Sequence, residues 1–187
     1  FSAMVQHGAM SDQDTQAIRA AAVLYTPETT ERSVLAAFAE ELKTKGLKVG
    51  GLVQQDHLDD QGVKDGIDAI AVDTGEHIPL KRPTESDFVN GVCSLDHSAL
   101  TESTGALRRA INNKADLMIV EKFGEQEQKG AGLADEILSA MAEGIPILIL
   151  VPSSALDQWN RFSGGLADLL PYTPEAIRRW WTGIRAE

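Results

Sequence analysis

Short apolar segments alternate along the chain with longer segments in which apolar residues recur at helical spacing. The apolar segments lack the alternation of a half-exposed strand, which is typical of parallel strands covered on both faces. We predict strands at Ile18–Tyr25, Lys48–Gln54, Asp116–Val120 and Pro146–Val151. We predict helices from about Thr30 to Lys45, from a cap at Asp96 to about Ile111, and over Leu133–Glu143, Ala155–Phe162 and Pro174–Ile184. This order predicts a three-layer α/β fold with a mainly parallel sheet.

The segment between the second and third of these strands is less regular. Residues 55–66 are predicted to form a polar loop, and two short strands at Ile67–Asp73 and Glu76–Leu80 a hairpin around Thr74 and Gly75. At the start of the chain, Phe1–Ala3 before Met4 has the character of a tag remnant. We therefore expect residues 1–17 to be a tag remnant and a flexible N-terminus, and residues 18–187 to form a single α/β domain.

The amino-acid composition limits the classes of partner that the protein is expected to bind. The chain has 187 residues with 17 Lys and Arg against 28 Asp and Glu, a formal charge of −11. Phosphate backbones and anionic membranes require a basic face, so we expect no nucleic-acid and no membrane partner. No apolar segment approaches the roughly 18 residues of a membrane span. The single cysteine, Cys93, cannot form an internal disulfide, and with no secretory signal visible we predict a cytoplasmic protein.

The loop after the first predicted strand is where a phosphate-binding loop would lie. Such a loop, the Walker A motif, needs glycines and a lysine, whereas residues 26–33 contain neither. The glutamates in this loop would repel phosphate. A small anion could still be bound at the start of the following helix by hydroxyl groups, and the candidate ligands are Thr26, Thr29, Thr30 and Ser33. A plain turn with a helix cap is the alternative.

The loop after the Asp116–Val120 strand carries the densest candidate chemistry. Glu121 follows four apolar residues, the position where nucleotide hydrolases hold Mg²⁺ or a water. Lys122 and Lys129 would add positive charge, and the amides of Gly130 and Gly132 could form an anion-binding nest before the next helix. Glu121 is thus a candidate metal ligand, with Mg²⁺ as the cofactor it would suit. The alternative is a purely structural turn into a helix, in which the glycines adopt backbone conformations that other residues avoid.

Other features are less specific. The last predicted helix carries Ile177, Trp180, Trp181 and Ile184 on one face, which favours docking on the body of the domain. Because aromatic side chains are frequent in protein interfaces, this helix could also form a homo-oligomer or bind a partner protein. His57 in an acidic segment and Cys93 near His97 are more simply explained as a solvated loop and a packed thiol.

Several segments together resemble a bacterial domain-of-unknown-function family, DUF2478, over roughly residues 18–182. The shared segments include Ala21–Gln54, Cys93–Asp96, Lys122–Glu127, Gly130–Leu133, Gly144–Pro146 and Trp159–Gly165. The resemblance implies a relative of P-loop nucleoside triphosphatases, often encoded near molybdate-uptake genes. The family usually has Asn at position 121, Arg at 94 and Lys at 125, where this chain has Glu121, Ser94 and Glu125.

These observations leave three hypotheses. The first is a P-loop-like domain without a Walker A loop that binds a small anion, such as molybdate, or a nucleotide, as an accessory or sensor protein. The second is a divergent Mg²⁺-dependent nucleotide hydrolase using Glu121. The third is a protein-interaction module using the C-terminal helix. Of these, the first predicts that Lys129→Ala and Gly132→Val each weaken ligand binding while sparing the fold.

Overall fold

The computed structural model describes residues 19–29, 33–81 and 97–185. Its strands are β1 (Ala20–Tyr25), β2 (Val49–Leu58), β3 (Lys64–Ala71), β4 (His77–Lys81), β5 (Leu117–Val120), β6 (Ile147–Pro152) and β7 (Asp168–Pro171). Its helices are α1 (Val34–Thr44), α2 (His97–Asn112), α3 (Glu125–Gln128), α4 (Ala134–Ala142), α5 (Leu156–Ser163) and α6 (Pro174–Arg185), with a 3₁₀ turn at Ser153–Ala155 before α5.

The described strands form one sheet in the order β4-β3-β2-β5-β6-β1-β7. The five strands from β2 to β7 in this order run parallel, and β3 and β4 continue the sheet antiparallel to their neighbours. The four strands predicted from apolar segments are the parallel strands β1, β2, β5 and β6. The predicted mainly parallel sheet is therefore confirmed.

Helices cover both faces of the sheet, because alternate residues of the buried strands point to opposite sides. On one face Met118, Val120 and their neighbours pack against α2, α4 and α5. On the other face Leu117 and Ile119 pack against α1 and α6. The three-layer α/β architecture follows from this division of the core into two apolar clusters.

Four local predictions need correction. Residues 55–66 are not a loop throughout, because β2 continues to Leu58 and β3 begins at Lys64. This two-stranded arm extends past the end of β5, whose pairing with β2 stops at Leu52, so its side chains are largely exposed and polar. The sequence analysis also missed β7, an exposed edge strand, and α3, a single helical turn. The fourth correction concerns the ends of the helices and strands, because most predicted boundaries differ from the observed ones by one to four residues.

Some predictions fall on residues outside the described ranges. They concern the N-terminal segment 1–17, Ile18, Thr30, Cys93, Ser94 and the helix cap at Asp96. Among the described residues, no helix is both long enough and apolar enough to cross a membrane.

Candidate functional site

The carboxyl-terminal edge of the parallel strands has one point where neighbouring connections diverge. β1 and β6 pair in register up to Tyr25 and Pro152. The chain then leaves β1 towards α1 on one face of the sheet and leaves β6 towards α5 on the other. Such a divergence opens a crevice between the two connections, and open parallel sheets bind ligands there. The candidate site is therefore centred on the ends of β1 and β6.

The loop after β1 closes on itself through its threonines. The amide of Thr26 donates to Oγ1 of Thr29 at 3.1 Å, and the amide of Thr29 donates to the carbonyl of Thr26 at 3.0 Å. The amide of Glu28 in turn donates to Oγ1 of Thr26 at 3.3 Å. Ser33 precedes α1 and its carbonyl accepts from the amide of Ala37 at 2.8 Å. Both threonine oxygens thus already accept backbone hydrogen bonds, although each hydroxyl can still donate.

Glu121 lies where the sequence analysis placed it, at the end of β5, and is buried. Its Oε1 accepts a hydrogen bond from the amide of Gln54 at 3.0 Å, and its own amide donates to the carbonyl of Leu52 at 3.0 Å. The carboxylate therefore fastens the end of β5 to β2, where the exposed arm begins. Among the described residues, no group of three or more His, Cys, Asp or Glu side chains is arranged to hold a metal ion.

The loop from Lys122 to Gly132 is shaped by a carboxylate that the sequence analysis did not single out. Glu127 is only 8% exposed. Its Oε1 accepts from the amide of Gly124 and its Oε2 from the amide of Leu133, both at 2.9 Å. A buried carboxylate with a backbone donor on each oxygen is stable only while both bonds are made. Glu127 thus clamps the two ends of this loop together.

The two glycines in this loop serve different purposes. Gly130 has φ +82 and its amide donates to the carbonyl of Glu127 at 3.0 Å, ending α3, so that amide is used within the chain. Gly132 has φ +60, and a Cβ there would lie 2.1 Å from Oε2 of Glu127. The open space at Gly132 is therefore occupied by the Glu127 carboxylate. We therefore expect Gly132→Val to disturb the fold as well as the candidate site, which differs from the expectation drawn from the sequence.

The loop is held on the body of the domain by an aromatic cluster. Phe123 is fully buried, with its ring centroid 5.3 Å from Trp159 and 5.2 Å from Phe162, both on α5. The amide of Phe123 donates to the carbonyl of Leu150 on β6 at 2.8 Å. The exposed Lys122 and Lys129 lie on either side of this anchored segment. Their ammonium groups are accordingly carried by a backbone of fixed shape.

The two predicted loops share one edge of the sheet but are not adjacent. β6 lies between β5 and β1, so the strand ends that carry them are separated by about 10 Å, twice the usual spacing of neighbouring strands. The segment between them is Pro152–Ser154, where Ser153 and Ser154 are exposed. The sequence analysis omitted these serines. They could have been found from the strand predicted at Pro146–Val151, because residues that follow this strand lie at the same edge of the sheet as the other candidate loops.

The C-terminal helix uses its apolar face within the domain. Ile177, Trp180, Trp181 and Ile184 are all at most 9% exposed, and Trp181 packs edge-on against Phe38 of α1 at a centroid distance of 6.4 Å. The docking interpretation of this face is therefore confirmed. A homo-oligomer formed through the remaining surface of α6 stays a prediction.

Comparisons with known proteins agree with this architecture. The chain is 37% identical over 163 residues to molybdenum import ATP-binding protein ModC 2 of Bradyrhizobium diazoefficiens, covering 87% of this chain and 18% of that protein. It therefore spans less than a fifth of that relative. It is also 24% identical over 139 residues to nucleoside-triphosphatase THEP1 of Pyrococcus abyssi, covering 72% of this chain and 74% of that protein.

A solved structure and a family profile complete the comparison. The crystal structure of THEP1 from the hyperthermophile Aquifex aeolicus superposes with a TM-score of 0.60 at 16% identity, covering 88% of this chain and 96% of that one. The fold is thus of the P-loop NTPase type, although the β1–α1 loop has no Walker A sequence. The profile of DUF2478, described as a protein of unknown function, matches residues 20–180. The chain therefore belongs to the DUF2478 family.

Proposed function

We propose that this protein binds a small anion, either an oxyanion such as molybdate or a nucleotide, and acts as an accessory or sensor protein. The observation that carries the proposal is the divergence of the β1 and β6 connections on an NTPase-type fold whose β1 loop has neither glycine nor lysine. Open parallel sheets bind ligands beyond the carboxyl ends of their strands at such a divergence, and this chain lacks the lysine that steadies the terminal phosphates in the β1 loop. Binding without efficient hydrolysis is the function that fits both facts.

The charges and donors around the crevice support an anionic ligand. Hydroxyl groups of Thr26, Ser153 and Ser154 lie at the β1 and β6 ends, and Lys122 and Lys129 stand on the neighbouring loop. Thr29, Thr30 and Ser33 complete the proposed ligand set on the β1 side. Because α1 follows the β1 connection and α5 follows the β6 connection, the positive ends of these two helix dipoles also face this edge.

The alternative hypotheses have less support from the geometry. Oε1 of Glu121 already accepts from the amide of Gln54, so a hydrolase that used Glu121 to hold Mg²⁺ would share it with a structural bond. An interaction module that used the apolar face of the C-terminal helix would have to expose Trp180 and Trp181, which are 8% and 9% exposed. The name of ModC 2 includes molybdenum import and ATP binding, which makes both molybdate and nucleotides reasonable probes.

The proposal is tested by titration calorimetry and thermal shift with molybdate, sulfate, phosphate, ADP and ATP, each with and without Mg²⁺. We expect one probe to raise the melting temperature, because a ligand that binds only the native state stabilises it. Lys129→Ala should weaken that binding by roughly three- to tenfold, the effect of removing one charge near an anion at a partly solvated site.

Lys45→Ala is the matched control, since Lys45 is an exposed lysine (65%) beyond the end of α1, at the opposite edge of the sheet. It should leave affinity unchanged. If no probe binds, or if Lys129→Ala and Lys45→Ala behave alike, the site is not at the β1–β6 crevice.

A further inference from the structure

A second concave region lies at the edge of the sheet opposite to the candidate site. It is a groove of about 390 Å³ where β2 begins and where α1 and α2 end. Leu47, Val49 and Ala110 line it with apolar groups, of which Val49 and Ala110 are buried apart from the atoms that form the floor, and Lys43 and Lys48 also line it. Its volume falls within the range of about 300–1,000 Å³ that is usual for small-molecule sites.

The groove is formed by fixed backbone. The amide of Lys48 donates to Oδ2 of Asp116 at 2.8 Å, and the amide of Asp116 donates to the carbonyl of Lys48 at 2.8 Å. On the floor, a Cβ at Gly50 would lie 2.6 Å from Cβ of Ala110, so α2 packs directly on β2 there. A ligand would thus meet a preformed shape, which lowers the entropy cost of binding.

The two lysines that line the groove are held but not neutralised. Nζ of Lys43 donates to the carbonyl of Val72, and Nζ of Lys48 donates to the carbonyl of Asn113, both at 2.8 Å. Each ammonium group has three donors, so each keeps donors for a further acceptor. Over the ranges 19–29, 33–81 and 97–185, no carboxylate oxygen lies within 4.0 Å of either Nζ.

The one carboxylate lining the groove is already paired elsewhere. Oxygens of Asp73 accept from Nε and Nη2 of Arg109 at 2.9 and 3.2 Å. A second carboxylate, Asp116, lies beside the groove and accepts from the amide of Lys48, so Lys43 and Lys48 are the cationic side chains that line the groove. The carbonyls at the ends of α1 and α2 oppose an anion weakly, and the bond from Lys48 to the carbonyl of Asn113, just past α2, offsets part of that effect.

We propose that this groove binds a small organic carboxylate with an apolar body. The carboxylate would accept hydrogen bonds from the ammonium groups of Lys43 and Lys48, and its hydrocarbon part would cover Leu47, Val49 and Ala110. Inorganic phosphate has the charge without the apolar part, and a neutral amide has the apolar part without the charge. The groove should therefore prefer a compound that combines the two.

The test uses phenylacetate as the probe, with phenylacetamide and inorganic phosphate as comparison compounds. Methyl NMR signals of Leu47 and Val49 report binding at the groove, and titration gives the affinity. We expect phenylacetate to shift these signals and to bind at least about tenfold more tightly than either comparison compound. Lys43→Met and Lys48→Met, which keep most of the aliphatic stem, should each weaken binding about tenfold.

Lys45→Met is the matched control, because Lys45 is a neighbouring exposed lysine that does not line the groove. Equal binding of phenylacetate and phenylacetamide, unchanged Leu47 and Val49 signals, or unchanged affinity in both lysine variants would overturn the proposal. These outcomes are independent of the crevice at the ends of β1 and β6, whose probes and variants are different.

Discussion

At the scale of single residues, the buried carboxylate of Glu127 determines the shape of the candidate loop. It stands in a segment rich in charged and amide side chains, Lys122–Lys129, yet it is the residue that turns inward to bond the amides of Gly124 and Leu133. Gly132 is required because any side chain there meets the same carboxylate. The loop geometry that would present Lys122 and Lys129 to a ligand therefore depends on an internal polar contact.

Gly132→Ala should be markedly more destabilising than Gly130→Ala. Both glycines have positive φ, so each substitution costs about 1–2 kcal/mol in backbone strain. Only Gly132→Ala also displaces the Glu127 carboxylate, since a Cβ at Gly130 has no neighbour within 4 Å. Disrupting the buried bonds of Glu127 should add about 1–3 kcal/mol. Urea unfolding of both variants measures the difference.

Gly130→Ala is the control for backbone strain alone. Equal unfolding free energies for the two variants would mean that the carboxylate moves aside at no cost, and that the clamp does not organise the loop.

The residue positions of the site were only partly predictable. The place of Glu121 followed from its position after a buried apolar strand, but its partner, the amide of Gln54, is 67 residues away and belongs to another strand. The sequence predicts an anion-binding nest at Gly130 and Gly132, and nothing in it indicates that the Glu127 carboxylate fills the space beside Gly132. Contacts between residues distant in sequence are set by the fold and are not visible in local patterns.

At the scale of elements, burial decided which ones the sequence revealed. β5 and β6 are covered on both faces, so their apolar segments stood out clearly. The outer half of β2 and the start of β3 project beyond β5 and are mostly exposed, so their polar residues were interpreted as a loop. β7 was missed because it lies at the sheet edge and is mostly exposed.

An ion pair between two elements should add a small, pH-dependent stabilisation. Arg109 on α2 pairs with Asp73 in the turn between β3 and β4, and its hydrogen bonds lower the pKa of the Asp73 carboxyl from its usual value, against the opposing effect of burial. A lowered pKa in the folded state stabilises above the unfolded value, and the contribution is lost as pH falls through the folded value. Because the pair is partly solvated, we expect about 0.5 kcal/mol at neutral pH.

A double-mutant cycle with Asp73→Asn and Arg109→Met, measured by urea unfolding at about pH 7 and about pH 3, gives this coupling energy. It should shrink at the lower pH. Arg179→Met removes an exposed arginine on α6 and serves as the control for a change in net charge. A coupling energy that is the same at both pH values would show that the two side chains interact through packing and not through charge.

At the scale of the whole molecule, the two opposite edges of the sheet each carry a proposed binding site. The carboxyl-terminal edge carries the ends of β1 and β6, where we propose the anion site, and the opposite edge carries the groove between α1 and α2. The likeness to THEP1 at 16% identity concerns this scaffold. Because function depends on the residues placed at such edges, the fold alone does not transfer an activity to this chain.

The whole molecule should hydrolyse ATP or GTP slowly or not at all. The β1–α1 loop lacks the lysine that steadies the β and γ phosphates, and its Thr26 and Thr29 oxygens are engaged in bonds that close the turn. We therefore expect turnover well below about 1 per second, the range that such enzymes commonly reach.

A phosphate-release assay with Mg²⁺ measures this turnover, and the Lys122→Ala, Lys129→Ala double variant tests whether those lysines replace the missing one. Turnover near 1 per second that disappears in the double variant, or in Glu121→Gln, would contradict the prediction and identify the protein as a hydrolase with a relocated lysine. A slow rate unaffected by these substitutions would agree with a binding protein in which the crevice holds its ligand without cleaving it.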